Sequence, residues 1–288
     1  MDVVIPIAKK DVHIGKKTIR HVRKNFDCET IFAISSRKTF RYFRPAFLQN
    51  MGVELLDEDE LIQGLSFNNL KALINSKSLI NPQYGWYFQQ FLKLGFSRSK
   101  YAKAQYLIWD ADTIPVRPIT FCKDGKYFFN IKNEYHLPYF TCMERILNLK
   151  KKIDGSFISE HIVVDTVIMK EMLSKIESNN LVPGNYWFEK IINSLDTDVF
   201  CGFSEFETYG TYIHTYYPTL CKRRSLNTFR EGGLLFGKGV TERELKYMAK
   251  KFDTISFEGG DKPITSSFKY LKDMLIRGRT RIQNLLQK

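Results

Sequence analysis

The stretch that decides the fold is YLIWDADTIPVRPITF, residues 106–121. Apolar residues 106–109 come directly before two aspartates, Asp110 and Asp112, which are separated by one alanine. A short apolar run bounded by polar residues and prolines is typical of a buried strand. In open α/β sheets, ligands bind beyond the carboxyl ends of the strands. The stretch therefore predicts a strand that presents two carboxylates at a ligand-binding edge.

The residues before this stretch alternate between strand-like and helix-like segments. DVVIPI and ETIFAIS are short β-branched runs on either side of a basic segment of helical length, residues 11–26. RKTFRYFRPAFLQNMG has a helical pattern that Pro45 must kink or divide, and VELL after it predicts a third strand. GWYFQQFLKLGF predicts a helix that leads into the strand at residue 106. The alternation predicts an α/β fold with a mixed, mostly parallel sheet flanked by helices.

The second half of the chain is less regular. KYFFNI predicts a strand, HIVVDTVIMKEMLSKIE a strand that turns into an amphipathic helix, and NYWFEKIINSL a further helix. SEFETYGTYIHTYY is an aromatic, acidic segment that is helical in pattern at its start. No linker rich in Pro, Gly or Ser separates the halves. We therefore expect one fused domain, residues 1–260, made of residues 1–121 and 122–260.

Residues 261–288 predict a basic, amphipathic C-terminal helix. Residues 262–288 contain seven Lys or Arg and one Asp, and Phe268, Leu271 and Leu275 fall on one face at helical spacing. Such a helix suits an anionic membrane surface. A C-terminal helix that packs on its own domain is the alternative, and the sequence does not decide between the two.

The net charge of +13 predicts an anionic partner, which could be nucleic acid, a phosphorylated substrate or a membrane face. Because no helix-turn-helix, zinc-finger or RNP-type motif accompanies the charge, we expect no nucleic-acid partner. No apolar window reaches the roughly eighteen residues of a membrane span. The apolar run at residues 3–8 is too short for a signal or an anchor. The expected location is therefore the cytoplasm.

The two aspartates have the chemistry of a metal site. Two like charges about 4 Å apart repel by about 4 kcal/mol at an effective dielectric near 20, so a pair held together needs a positive counter-charge. Mg²⁺ or Mn²⁺ meets this need, because these ions bind carboxylates and complete their shell with phosphate oxygens and water. Many D-x-D pairs only cap turns. Here the preceding apolar strand and the Thr-Ile-Pro that follows favour a ligand site.

With its strand context, the aspartate motif resembles that of a known family. YLIWDADTIPVRPITF, together with GWYFQQFLKLGF, SFISEHIVVDTVIMKEML and SEFETYG, is similar to the GT-A-fold, nucleotide-sugar-dependent glycosyltransferases of bacterial surface-polysaccharide pathways, over residues 1–235. The resemblance implies a hexosyltransferase that moves a sugar from a nucleoside diphosphate sugar, most simply a UDP-sugar, to a glycan or lipid-linked saccharide. It places the donor on residues 1–121 and the acceptor on residues 122–260. Capsule or lipopolysaccharide synthesis, peripherally at the inner membrane face, is the implied setting.

The resemblance also implies a metal site and its ligands. Asp110 and Asp112 would hold Mn²⁺ or Mg²⁺ against the diphosphate, and Asp110 would also approach the ribose. Such enzymes often take a third ligand from a histidine in the C-terminal half, and His214 in TYIHTYY is the candidate. A lone histidine among aromatic residues is more often a packed or surface residue, and that alternative stays open.

Four further residues are implied to contact the donor. IPIAKKD after the first strand, beginning around Pro6, would line the base and ribose. Gln89 and Lys93, one helical turn apart, would face the nucleotide, although Lys93 reads equally well as a solvated helix lysine. His161 would lie beneath the transferred sugar, where related enzymes often place a polar residue.

An inverting transfer needs a base that takes the proton of the acceptor hydroxyl. Glu205 and Glu207 in SEFETYG are the candidates, with Glu205 preferred, because acids among aromatic residues suit a sugar-binding cleft. Asp165 is a further candidate. Alternatively, Ser204 and Glu205 serve only as a helix cap and a first-turn acid.

Two rival interpretations remain. Asp110 and Asp112 in WDADT also match the nucleophile motif of haloacid-dehalogenase-type phosphatases, in which the first aspartate attacks phosphorus. That motif usually lies on the first strand, whereas several strands precede it here, and the distal acidic motif would have to be residues 259–261. The second rival is a non-catalytic basic module that binds a membrane or nucleic acid.

Overall fold

The computed structural model describes residues 1–258. Contacts divide the chain into two compact units that are interleaved along the sequence. Within the described residues, the first unit comprises Met1–Lys9, Asp27–Asp110 and Thr120–Ser225, and the second comprises Lys10–Phe26, Ala111–Ile119 and the residues from Leu226. The boundaries of these units differ from those of the predicted halves, residues 1–121 and 122–260. The donor-binding and acceptor-binding roles of those halves stay predictions. The predicted C-terminal helix, residues 261–288, lies outside the described residues.

Strands and helices alternate in the first part of the chain, as the sequence predicts. The strands in residues 1–258 are β1 (Asp2–Pro6), β2 (Ile31–Ser35), β3 (Val53–Asp57), β4 (Gln105–Trp109), β5 (Thr113–Pro115), β6 (Cys122–Lys123), β7 (Lys126–Asn130), β8 (His161–Asp165), β9 (Cys221–Arg224), β10 (Thr228–Phe229) and β11 (Thr254–Ser256). The α-helices in the same residues are α1 (Val12–Asn25), α2 (Arg37–Phe40), α3 (Pro45–Met51), α4 (Phe67–Ser76), α5 (Tyr84–Gly95), α6 (Leu137–Leu147), α7 (Thr166–Glu177), α8 (Trp187–Ser194), α9 (Glu205–Tyr216), α10 (Gly232–Phe236) and α11 (Glu242–Met248).

The main sheet lies in the first unit and has the strand order β3-β2-β1-β4-β8. β1 pairs in parallel with both β2 and β4, and β2 pairs in parallel with β3. β8 is antiparallel to β4. Both faces of β1 and β2 are buried, which explains their continuous apolar sequences. The predicted mixed, mostly parallel α/β sheet flanked by helices is confirmed.

The antiparallel register of β8 on β4 fixes which side chains share an end of the sheet. Trp109 pairs with His161 at one end, and Gln105 pairs with Asp165 at the other. Since each residue of a strand advances about 3.3 Å, the two ends are roughly 13 Å apart. His161 therefore lies at the end of β4 from which Asp110 follows, and Asp165 lies at the opposite end.

A smaller sheet of the first unit has the order β6-β7-β9. β6 and β7 form an antiparallel hairpin around Asp124 and Gly125, both with positive φ, as a tight turn requires. β9, with the sequence CKRR, pairs in parallel with β7. Neither pairing was evident in the sequence, because β6 and β9, the partners of β7, are short and polar.

Local signals explain where the helices begin and end. Pro45 is the first residue of α3, a position where its missing N–H costs nothing, and this is why the predicted helix is divided there. α3 ends at Gly52, whose φ of 57° is left-handed. The side chain of Ser204 accepts a hydrogen bond from the N–H of Glu207 and caps α9. The SEFETYGTYIHTYY segment is helical through Tyr216, well beyond the start that its pattern predicts.

The second unit has a sheet and a core of its own. Its strand order is β10-β11-β5, with β5 antiparallel to β11. α1 packs on β5, and the hydroxyl of Thr18 donates a hydrogen bond to the carbonyl of Ala111 (2.8 Å). The carbonyl of Asp112 accepts a hydrogen bond from the N–H of Phe257 (2.8 Å), which fixes the backbone just before β5.

None of the helices in residues 1–258 combines the length and the apolar character needed to cross a bilayer.

Candidate functional site

The main sheet contains a topological switch point between β1 and β4. The chain runs outward from β1 through β2 to β3 and then returns to the other side of β1 as β4. Val4 pairs with Ile108, so Pro6 and Asp110, two residues further along each strand, lie at the same edge. In doubly wound sheets the crevice at this point is where ligands bind. The structure thus brings together two of the residues that the sequence selected, Pro6 and Asp110.

Asp110 belongs to a buried ion cluster. The Nζ atom of Lys93 donates hydrogen bonds to Oδ1 of Asp110 (2.6 Å) and Oε1 of Glu205 (2.7 Å). The side chains of Lys93 and Glu205 are only 3% and 6% exposed, whereas that of Asp110 is 26% exposed. The same ammonium lies 4.5 Å from the ring centre of Phe206. Lys93 therefore links Asp110, which follows β4, to Glu205, the first residue of α9.

Burial and charge act in opposite directions within this cluster. Burial alone would lower the pKa of Lys93, but Asp110 and Glu205 outweigh it, and the pKa is raised. Lys93 is therefore charged at neutral pH. Burial raises the pKa of Asp110, while Lys93 opposes that rise. The counter-charge that the sequence analysis assigned to a divalent cation is supplied at Asp110 by Lys93, which is a buried residue and not a solvated helix lysine.

Gln90 supports this cluster and was missed by the sequence analysis. The N–H of Glu205 donates a hydrogen bond to Oε1 of Gln90 (2.9 Å), and Gln90 is buried. Gln89, the neighbour that the resemblance selected, is half-buried, and its contact with a nucleotide stays a prediction. Helical spacing alone favoured Gln89, because it precedes Lys93 by one turn.

The residues present have donor chemistry that suits a hard divalent ion. Mg²⁺ is often held by one or two carboxylates and completes its shell with substrate phosphates and water, so Asp110 and Asp112 supply suitable oxygen atoms. Among residues 1–258, no three His, Cys, Asp or Glu side chains form a group that could hold a metal. The predicted third ligand, His214, is accordingly not part of such a group.

His214 is a packed histidine. Its ring centre lies 4.8 Å from that of Phe129 and 4.5 Å from that of Phe157, and its Nδ1 is 2.9 Å from the carbonyl oxygen of Gly210. Burial lowers the pKa of His214 to about 4. Its surroundings correspond to the alternative left open in the sequence analysis, a histidine packed among aromatic residues.

His161 lies one strand away from the switch point, beside Trp109. The two rings are stacked, with centroids 4.8 Å apart and an angle of 21°. Nε2 of His161 is 3.4 Å from Nη2 of Arg224, whereas the buried Nδ1 has no hydrogen-bond partner within the described residues. Burial, and then Arg224 and Lys132, lower the pKa of His161 well below its usual value. His161 is therefore a neutral imidazole at physiological pH.

The three candidate bases are each engaged in local structure. Glu205 is bound by Lys93. Glu207 is buried, and its Oε2 accepts hydrogen bonds from the hydroxyl of Ser156 (2.6 Å) and the N–H of Phe157 (2.9 Å). Burial raises the pKa of Glu207. These contacts give Glu207 the role of an anchor for the loop that precedes β8.

Asp165 caps α7 and lies at the opposite end of β4 from Asp110. Its Oδ1 accepts hydrogen bonds from the N–H groups of Val167 (3.0 Å) and Ile168 (3.1 Å), and its Oδ2 accepts one from the hydroxyl of Tyr127 (2.8 Å). The β4–β8 register places it beside Gln105. Asp165 is therefore the N-cap of α7, and its candidate role as a base stays a prediction.

Three charged residues that the sequence analysis missed, Lys132, Glu160 and Arg224, lie near Asp110 or near His161. The carbonyl of Glu160 accepts a hydrogen bond from the N–H of Asp110 (2.9 Å), and its side chain is paired with Lys132. Arg224 extends over the ring of Phe121 at 5.2 Å. Lys132 follows β7, Glu160 comes directly before β8 and Arg224 ends β9, so no local sequence pattern could have grouped them.

Among solved structures, the chain is similar to the apo form of the bifunctional glycosyltransferase WbbM (14% identity, TM-score 0.47), with all of this chain and 51% of WbbM covered. It is also similar to the galactosyltransferase LgtC in complex with donor and acceptor sugar analogues (11% identity, TM-score 0.47), with 100% and 99% covered. Mouse xyloside xylosyltransferase 1 is a third neighbour (12% identity, TM-score 0.46), with 92% and 100% covered.

A search of curated proteins found no significant match. A family model described as "Family of unknown function (DUF6492)" matches residues 3–231. The chain belongs to that family. The matched range of DUF6492 includes β1 from its second residue, the ion cluster of Lys93, Asp110 and Glu205, and the charged residues around His161. The site described above therefore lies entirely within the part of the chain that defines family membership.

Proposed function

We propose that this protein is a glycosyltransferase that moves a sugar from a nucleoside diphosphate sugar to a glycan or lipid-linked acceptor. The observation that carries the proposal is the position of Asp110, at the switch point of a mostly parallel sheet and beside Pro6. The sequence resemblance over residues 1–235 supports the same assignment. A UDP-sugar donor, hexosyl transfer and a role in capsule or lipopolysaccharide synthesis at the inner membrane face belong to the proposal.

Each site residue has a proposed role. The backbone after Pro6 would line the base and ribose, with Gln89 nearby. Asp110 and Asp112 would hold Mn²⁺ or Mg²⁺, which when bound neutralises charge on a diphosphate. Lys93 holds the Asp110 carboxylate in a single orientation, so that a bound donor meets a pre-positioned group.

Glu205 is proposed as a positioning residue and not as the base. A general base must be within reach of the acceptor proton and free to accept it. Glu205 is 6% exposed, and its Oε1 already accepts a hydrogen bond from Lys93, so it is not free to meet an acceptor hydroxyl. The buried His161 next to Trp109 would form part of the floor of the sugar site. No described feature favours the phosphatase or the non-catalytic module, and we do not carry either forward.

Calorimetric titration of nucleotides tests the proposed function. UDP, GDP and CDP would be titrated with and without Mn²⁺ into wild type, Asp110→Asn and Asp112→Asn. Asp154→Asn, an exposed aspartate of the first unit, is the matched control. We expect metal-dependent binding of one nucleotide that both site variants lose and the control retains. If none of the three nucleotides binds the wild type in Mn²⁺, the glycosyltransferase proposal is wrong.

A further inference from the structure

A cationic pocket, separate from the crevice between β1 and β4, lies at the end of β7 and β9. It has a volume of about 580 Å³ and is lined by Ile131, Lys132, Asn133, Arg223, Arg224 and Ser225. Three of these six residues carry a positive charge and none carries a negative charge. Such a lining makes the pocket attractive to an anion of moderate size.

The backbone that carries the pocket is held firmly. The N–H of Ile131 donates a hydrogen bond to the carbonyl of Arg224 (2.9 Å), which extends the parallel pairing of β7 and β9. Lys132 and Ser156 exchange two backbone hydrogen bonds of 3.0 and 2.8 Å. The two segments of the lining are therefore fixed relative to each other, as a binding site requires.

The charge in this pocket is only partly neutralised. Lys132 is paired with Glu160. Arg223 is exposed, and the described residues provide its side chain with neither an ion pair nor a hydrogen bond. A guanidinium offers a planar fork of N–H donors that fits the oxygens of phosphate and carboxylate. Arg223 is thus available to an oxyanion that enters the pocket.

Contacts link the pocket to the proposed catalytic centre. Glu160 pairs with Lys132 through its side chain, and its carbonyl accepts the N–H of Asp110. Arg224 contacts His161, which pairs with Trp109. The pocket nevertheless lies beyond β8, the edge strand, whereas the switch point is at β1 and β4. At about 4.8 Å per strand, β8 is roughly 10 Å from β1.

We propose that this pocket binds a phosphate or carboxylate group of the acceptor, so that the acceptor is an anionic saccharide or a saccharide linked to a phosphorylated carrier. The assignment of this pocket to an acceptor rests on the proposed glycosyltransferase function. The assignment to the acceptor follows from the position of the pocket, on the opposite side of Asp110 from the crevice proposed for the nucleotide. The same oxyanion chemistry would suit the diphosphate of the donor, and the test separates these two sources.

The test is a calorimetric titration of inorganic phosphate at low ionic strength, into the free protein and into protein saturated with UDP and Mn²⁺. We expect wild type to bind phosphate with the same affinity in both states. Arg223→Gln should weaken phosphate binding about tenfold, since hydrogen bonds to charged groups are among the stronger ones. Its affinity for UDP should not change.

Lys222→Gln is the matched control. It removes the same charge from the adjacent residue of β9, but Lys222 lies over the ring of Phe128 and does not line the pocket. Equal weakening by Lys222→Gln, or no phosphate binding to wild type, would overturn the anion site. Loss of phosphate binding in the presence of UDP, or weaker UDP binding in Arg223→Gln, would assign the pocket to the donor instead.

A different result would contradict the proposed function: wild type would bind none of UDP, GDP and CDP. The phosphate titration of the free protein with the two variants then still decides whether the pocket is an anion site.

Discussion

Lys93 carries a charge in a position where an unpaired charge would be very costly. Its ammonium is almost fully buried and is bound by Asp110 and Glu205. Two carboxyl groups share one ammonium in this site, and Asp110 is the member most exposed to solvent. Breaking a buried ion pair by removing one partner leaves an uncompensated charge, which is more harmful than replacing the whole group.

Substitution of Lys93 by Met is therefore expected to destabilise the protein by about 3–5 kcal/mol. The free energy of unfolding would be measured by urea denaturation. Lys100→Met, at an exposed lysine of the same unit, should change it by less than about 0.5 kcal/mol. Adding Glu205→Gln to Lys93→Met should recover part of the loss, because it removes one of the two stranded carboxylates. Equal stability of Lys93→Met and Lys100→Met would contradict the ion cluster.

Glu58 predicts a pH dependence of stability. Burial, and then Asp59 and Asp57, raise its pKa from 4.5 to about 7. A group with a raised pKa in the folded state contributes stability that is fully present below its ordinary pKa and is lost as the pH rises through the folded pKa. We therefore expect Glu58→Gln to be stabilising relative to wild type, by an amount that grows between pH 4.5 and 7 and is constant above.

Urea denaturation at pH 4.5, 6 and 8 would measure this difference. Glu54→Gln, at an exposed glutamate of β3, is the matched control and should give no such trend. A difference between Glu58→Gln and wild type that does not vary across these pH values would show that Glu58 has no raised pKa.

At the scale of elements, α9 and the loop before β8 are packed through a glycine. A methyl group added at Gly210 would lie 2.2 Å from Cγ of Phe157 and 2.6 Å from its Cβ. Glu207, one turn earlier on the same helix, holds the backbone N–H of Phe157. The ring of Phe157 can therefore lie against the helix only because residue 210 has no side chain.

Gly210→Ala is expected to destabilise the protein by about 1–3 kcal/mol, although alanine is the better helix former, because the added methyl overpacks the core. Gly85→Ala in α5 is the matched control, since nothing lies within 4 Å of the added methyl there. It should be neutral or stabilising by up to about 1 kcal/mol. Thermal denaturation of both variants measures the difference, and a stable Gly210→Ala would disprove the close packing.

At the scale of the whole molecule, the positive charge is the most general property. The net charge of +13 includes the basic residues of the C-terminal segment 261–288, for which the sequence predicts an amphipathic helix. Removing residues 264–288 removes six basic residues and one acidic residue. Juxtamembrane basic residues each contribute about 1 kcal/mol to binding an anionic surface, so this segment would dominate any membrane contact.

We expect the full chain to sediment with vesicles that contain phosphatidylserine at low salt, and the form truncated after residue 263 to stay in the supernatant. Neutral vesicles and high salt are the controls, because salt screens the attraction. Equal binding by the truncated form would show that the C-terminal segment is not the membrane contact, whereas no binding by the full chain would contradict the proposed inner-face location.

The sequence predicted the order of the main elements well, because each has a strong local signal. The strands at DVVIPI, ETIFAIS, VELL, YLIW, KYFFNI and HIVVD and the break at Pro45 are all present. Long-range pairing was not predictable. Nothing local indicates that Lys93 reaches Glu205, that His161 stacks on Trp109, or that β9 lies beside β7. The capping of α7 by Asp165 was missed for the same reason, since an acid at the end of a strand gives the same local pattern whether it contacts a substrate or caps the next helix.

The strand order of the main sheet also has a consequence during synthesis on the ribosome. β1 ends at Pro6, but its parallel neighbour β4 begins only at Gln105. At typical elongation rates this gap of roughly 100 residues takes about 5–20 s to translate. Throughout that interval, one edge of an almost wholly apolar strand has no partner. The nascent chain is therefore expected to be a client of ribosome-associated chaperones until β4 emerges from the exit tunnel.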